Sequence, residues 1–143
     1  MKKINLFVYG SLREGFFNYD KYLAGKVVEK KDAILENMRL YHMPYKGYPA
    51  ITPGNDKVLG EISVINEEEY DETVKDMDEM EGFISENNPE NEYHKIVLEV
   101  KNLQTNEKEK CFVYFYNKDK DKVFDSESVY IPNGDWKEYM LTK

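Results

Sequence analysis

The chain predicts an α+β fold: a mixed, mostly antiparallel sheet, curled or closed into a small β-barrel, with a few helices. Strand-like runs outnumber helical ones, and the one clearly marked helix lies in the middle of the chain. A sheet that curls or closes on itself also protects its edges, which an open one would expose. The 143 residues can bury a real core but leave little room for two comfortable ones, so 1–143 is read as a single domain.

Ile4 to Tyr9 is apolar apart from Asn5 and lacks polar alternation, which suits a central strand covered on both faces rather than a signal peptide. Gly10 ends it, and Gly10 to Gly15 forms a loop before a short helical turn around Tyr19 to Leu23. Ala33 to Tyr41 reads as a second strand. From His42 to Gly54, Pro44, Gly47, Pro49 and Pro53 among Tyr45, Tyr48 and Ile51 predict a stiff aromatic loop. Val58 to Ile65 is a strand in which Gly60 marks a bend or bulge. Asn66 is an N-cap, with Glu69 in a box-like position and acidic residues at the helix start. The buried stripe of that helix is Tyr70, Val74 and Met77, and Gly82 sits where a C-terminal glycine belongs. Ser85 to Glu92 is polar and is read as a mobile loop. Tyr93 to Lys101 and Cys111 to Tyr116 form an antiparallel pair, and a short C-terminal helix follows Gly134-Asp135-Trp136.

Composition narrows function. The hydrophobic fraction is 41%, enough to exclude a disordered chain. With 28 acidic against 20 basic residues the formal charge is −8, a field that repels phosphate backbones and anionic lipid, so neither nucleic acid nor membrane is an expected partner. No apolar run approaches the roughly 20 residues of a membrane span. The lone Cys111 allows no internal disulfide, and a cytoplasmic address is the default. A monomer is expected.

Several patterns fail when their chemistry is checked. Gly10 to Gly15 has the glycine spacing of a phosphate-binding loop, but Phe16 and Phe17 stand where Lys and Ser or Thr are required. What survives is either a tight turn, which the spacing alone favours, or a set of backbone N–H groups that could hold a carboxylate or oxyanion. Asn117, Asp119 and Asp121 imitate a calcium loop, yet Lys122 replaces its glycine and Ser128 its glutamate. His42, His94 and Cys111 have no paired spacing for zinc, so no metal or cofactor is expected. The informative anomaly is the end of the central helix, where Asp78, Glu79 and Glu81 oppose the negative end of the helix dipole. A carboxylate placed there has its pKa pushed upward, the direction wanted in a group that must act as both base and acid. Glu81, immediately before Gly82, is the best placed. Tyr114 and Tyr116, on one strand face, belong to a set of twelve tyrosines that mostly pack.

Val8-Tyr9-Gly10-Ser11-Leu12-Arg13, Tyr48-Pro49-Ala50-Ile51, Gly60-Glu61, Asp78-Glu79-Met80-Glu81-Gly82-Phe83, Val113-Tyr114-Phe115-Tyr116 and Gly134-Asp135-Trp136, taken in order, resemble the γ-glutamylcyclotransferase-like family, especially its γ-glutamylamine cyclotransferase and AIG2-like branch. The resemblance implies a cofactor-independent enzyme that cyclises a γ-glutamyl amine, peptide or conjugate to 5-oxoproline and releases the free amine. It places substrate-binding roles on Tyr9, Gly10, Ser11 and Leu12, with backbone amides holding the α-carboxylate, and the catalytic acid/base role on Glu81. Tyr114 or Tyr116 is assigned to the developing oxyanion. The alternative is a non-catalytic domain that binds a small carboxylate or amine in the same pocket. Net charge points to a cationic leaving group, read by variable loops, for which His42 to Ala50, Ser85 to Glu92 and the C-terminal tail are the candidates.

Overall fold

A computed structural model of the protein describes residues 4–13, 15–16 and 18–142. Six strands run in the order β1 (Asn5–Val8), β2 (Val27–Met43), β3 (Tyr48–Ile65), β4 (Tyr93–Asn102), β5 (Lys108–Tyr116) and β6 (Val129–Ile131). Among the described residues there are three α-helices, α1 (Tyr70–Met80) and α2 (Phe124–Glu127) between strands and α3 (Trp136–Thr142) after the last strand, and Tyr19–Leu23 forms a single helical turn. The sheet order is β3-β1-β5-β4-β2, and a long β2–β3 pairing closes it into a five-stranded barrel, with β6 added along β2. All the pairings are antiparallel except β1 with β5, so the predicted mixed, mostly antiparallel closed sheet is what forms.

Alternation along the strands sorts side chains into two cores, because successive residues point to opposite faces. Phe7 of β1 and Cys111 and Val113 of β5 belong to the barrel interior with Leu40, Ile51, Val58 and Ile62. Leu6 and Val8, with Tyr114 and Tyr116, face outward and pack with Tyr70, Val74 and Met77 of α1. The first strand is central, between β3 and β5.

The stiff loop between His42 and Gly54 is corrected by the structure. Only residues 44–47 form the turn, and β3 begins at Tyr48, with Met43 opposite Tyr48 and His42 opposite Pro49. Proline is tolerated here because this part of β3 pairs with β2 alone among the described residues, so the missing N–H of Pro49 has no second strand to serve. Pro53 lies beside a break in register opposite Asn37, whose φ is +64°. Gly60 is not a bulge, since it pairs in register with Ala33. It is a close approach: a Cβ there would lie 2.3 Å from the Val8 carbonyl oxygen.

The segment read as a mobile loop is held by hydrogen bonds. The fully buried Asn91 accepts from the Ile84 amide at 2.6 Å and donates to the Ser85 carbonyl at 2.8 Å. No helix among the described residues is long and apolar enough to cross a membrane.

Candidate active site

The C-terminal end of α1 fixes one wall of a cavity of about 240 Å³ lined by β1, the turn after it, the start of β3 and the start of β4. Glu81 is the C-cap residue, and Gly82 follows at φ +68°. The Gly82 amide donates to Glu79 O at 3.2 Å and the Phe83 amide to Asp78 O at 2.9 Å, the paired bonds that a left-handed glycine allows at a helix end. The Glu81 amide bonds to Met77 O at 2.8 Å and its carbonyl accepts from Tyr93 N–H at 3.2 Å. The backbone under this carboxylate is therefore fixed on both sides.

No hydrogen bond to the Glu81 side chain is found among the described residues. Glu81 is half-buried and lines the cavity. Burial pushes its pKa from 4.5 up to about 8, with the nearby charges of Glu92 and Asp78 adding to the rise. Asp78 is better supplied: its Oδ2 pairs with Lys95 Nζ at 2.9 Å, and its Oδ1 accepts from the Tyr114 hydroxyl at 2.6 Å.

The opposite wall is the turn Gly10 to Arg13. The Arg13 amide closes it by donating to Gly10 O at 2.9 Å, and among the described residues no hydrogen bond from the amides of Gly10, Ser11 or Leu12 is found. The Ser11 hydroxyl accepts from Asn18 Nδ2 at 2.7 Å. Gly10 is required by packing, since a Cβ there would lie 2.4 Å from Pro49 Cγ. Buried Arg13 ties the turn down, reaching Asp135 at 3.0 Å and Glu61 at 3.5 Å. Three sequence motifs far apart in the chain thus meet in one ion cluster behind the turn.

Four tyrosines line the cavity, and each has its hydroxyl proton committed to the protein. Tyr9 donates to Tyr114 O at 2.6 Å, Tyr48 to Glu92 Oε2 at 2.7 Å, Tyr93 to Pro49 O, and Tyr114 to Asp78 Oδ1. Carbonyls and ionised carboxylates only accept, so the direction of each bond is forced. Burial raises the pKa of all four, so they keep their protons. A ligand on this side meets oxygen lone pairs and carboxylates, whereas the opposite wall is the Gly10–Leu12 turn, whose amides have no hydrogen-bond acceptor found among the described residues.

Of the residues singled out from sequence, Tyr9, Gly10, Ser11, Leu12, Glu81 and Tyr114 come together around this cavity, and Tyr116 does not. The Tyr116 side chain shares its strand face with Tyr114, but its hydroxyl donates to Asp121 at 2.6 Å in a neighbouring groove. Glu92, Tyr48 and Tyr93 also line the cavity; sequence places Tyr48 and Glu92 only within the candidate leaving-group loops, with no individual role, and gives Tyr93 none.

A family model described as gamma-glutamyl cyclotransferase, AIG2-like, matches residues 6–138. Among curated proteins, the chain is 28% identical over 137 residues to the gamma-L-glutamyl-butirosin B gamma-glutamyl cyclotransferase of Niallia circulans, covering 96% of this chain and 78% of that protein. Among solved structures it is similar to an uncharacterised protein from Pyrococcus horikoshii, with TM-score 0.61, 23% identity and coverage of 98% and 95% of the two chains. It is also similar to an AIG2-like protein from Mus musculus, with TM-score 0.62, 24% identity and coverage of 78% and 76%. At these identities the solved structures bear on the fold alone.

Proposed function

The chain belongs to the gamma-glutamyl cyclotransferase, AIG2-like family, and from that premise we propose that it cyclises a γ-glutamyl amine, peptide or conjugate to 5-oxoproline, with Glu81 as general base and acid. Family membership and the 28% identical relative support a cyclotransferase-type function. The observation that carries the finer reading is the division of one small cavity into a donor end, at Gly10 to Leu12, and an acceptor end, at Glu81 and the tyrosine oxygens. A glutamyl group carries an α-carboxylate and an α-ammonium on one carbon, and such a cavity suits that pair.

In this reading the turn amides hold the α-carboxylate, and Glu81 takes a proton from the α-ammonium. The freed amine attacks the γ-carbonyl carbon, forming the lactam C–N bond. Glu81 then returns the proton to the departing nitrogen as the γ-amide C–N bond breaks, and the second proton that the ring nitrogen must shed is taken up by the released amine, so the products are 5-oxoproline and a free amine in its ammonium form. The substrate supplies its own nucleophile, and the enzyme contributes folding of the substrate and two proton transfers. A carboxyl with a pKa of about 8 suits a group that must act in both senses near neutral pH. The bond from Tyr114 to Asp78 favours the Tyr114 oxygen as an acceptor for the α-ammonium over a donor to the oxyanion.

The test is Glu81→Gln, nearly isosteric but unable to take the proton. Incubated with a panel of γ-glutamyl amines and peptides, the parent is expected to release 5-oxoproline, measured by mass spectrometry. The variant should fall at least about 100-fold in rate. Undiminished release by the variant would overturn the mechanism.

A further inference from the structure

We propose that Glu92 is a further substrate-binding residue, and that its Oε1 holds the α-ammonium of the γ-glutamyl group. The inference rests on the cyclotransferase reading and deepens it by adding a side chain of this protein that the proton transfers do not use. Glu81 and Glu92 are the charged residues lining the cavity, and no basic residue lines it among those described. A cation entering such a cavity finds a counter-charge there and an anion does not.

The Glu92 carboxylate is fixed through one oxygen and leaves the other available. Its amide donates to Gly82 O at 2.9 Å, which seats it beside the end of α1. Oε2 accepts from the Tyr48 hydroxyl at 2.7 Å and from Lys46 Nζ at 2.9 Å. Lys46 does not line the cavity and meets the carboxylate from the neighbouring groove. No donor to Oε1 is found among the described residues, and this oxygen lies 3.5 Å from the place a Cβ on Gly82 would take, next to the residue that follows Glu81. The other acceptors do not supply a lasting negative charge. Asp78 is taken up by Lys95 and Tyr114 and does not line the cavity, and the tyrosine oxygens are neutral. Glu81 gains the proton that the α-ammonium loses, and burial already pushes its pKa up to about 8, so its charge is not constant through the reaction. An ammonium has three N–H bonds: one proton goes to Glu81, the Tyr114 oxygen accepts from the second, and Glu92 Oε1 accepts from the third. With the α-carboxylate at the turn, the α-carbon is then held from two sides, the positioning that ring closure needs.

The matched pair γ-glutamyl-alanine and glutaryl-alanine, which differ only in the α-ammonium, tests the assignment. Calorimetric binding to Glu81→Gln reads the contact without turnover, and 5-oxoproline release by the parent from γ-glutamyl-alanine reads the reaction. Glu81→Gln is expected to bind the amino compound about tenfold more tightly than the glutaryl one, as a hydrogen bond between charged groups allows. Adding Glu92→Gln, which keeps the shape and removes the charge, should erase that preference without weakening the binding of glutaryl-alanine. A preference that survives Glu92→Gln overturns the proposal. An equal loss of both ligands also overturns it, because it marks a role in the shape of the cavity alone. A preference that depends on Glu92, without 5-oxoproline from the parent, overturns the cyclotransferase reading and leaves the ammonium contact standing. Failure of both compounds to bind overturns both.

Discussion

At its N-terminal end α1 is preceded by Asn66, which accepts from the Glu68 amide at 2.9 Å, and by the acidic run Glu67–Glu69, with Asp71 and Glu72 in the first helical turn. At its C-terminal end Asp78, Glu79 and Glu81 stand against the terminal carbonyls, and no basic residue lies in the last turn. Unpaired N–H groups make the first end partially positive and unpaired C=O groups make the other partially negative. Acidic side chains therefore stabilise one end and destabilise the other. Lys95 offsets Asp78 from a neighbouring strand, whereas Glu81 has no such partner among the described residues. Stability is given up at the end that faces the cavity.

The largest expected effect comes from removing that cost. Because the folded pKa of Glu81, about 8, lies above its unfolded value, the folded state holds a proton that the unfolded state has released between about pH 4.5 and 8. Stability is then highest below the unfolded pKa and falls as pH rises across that window. Each pKa unit is worth about 1.4 kcal/mol, and residual contact with cavity water reduces the total. Glu81→Gln is expected to be more stable than the parent by about 2–4 kcal/mol at pH 8 and nearly equal to it at pH 4.5. Thermal melts at the two pH values check this, and an equal difference at both would break the comparison.

At the other end, Asn66→Ala removes the cap. It is expected to cost about 1 kcal/mol, seen as a fall of a few degrees in Tm, with the pH dependence unchanged. Smallest is Glu79→Lys, an exposed change of sign in the last turn. It should stabilise by about 0.3–1 kcal/mol at low salt, and the gain should shrink as salt is added. A loss of stability in this variant would mean that local contacts outweigh the dipole.

Both ends of α1 were legible because their signals are local: Asn66 capping the short 3-10 turn Glu67–Glu69 that leads into the helix, an apolar stripe at Tyr70, Val74 and Met77, and a glycine at 82. The mostly antiparallel sheet followed from counting strand-like runs, while its closure into a barrel, one of two alternatives with a curled sheet, is decided by the long β2–β3 pairing. The start of β3 was obscured by Pro49 and Pro53, which ordinarily end regular structure. They are accommodated here by an unpaired strand edge and a register break, features of the tertiary fold that composition does not carry. The role of Glu92 was hidden for the same reason. Its bonds to Lys46 and Tyr48 span more than forty positions, and nothing beside it in the chain marks it. The shared strand face of Tyr114 and Tyr116 was predictable from a spacing of two, but the different destinations of their hydroxyls depend on Asp78 and Asp121.

Glu81 and Gly82 are joined to the entrance of β4 by two backbone bonds, Tyr93 N–H to Glu81 O at 3.2 Å and Glu92 N–H to Gly82 O at 2.9 Å. Chain direction reverses between these pairs, so residues 83–91 leave and return at a clamped base. Asn91 and Gly82 act at that base, and the Pro89 and Glu90 carbonyls are tied back by Asn117 at 3.1 Å and Lys120 at 2.7 Å, so that residues 86–88 form the outer excursion. For protein engineering this makes the outer segment a natural place to graft or lengthen sequence, because the carboxylate's position is set by the clamp and not by the length of what hangs from it.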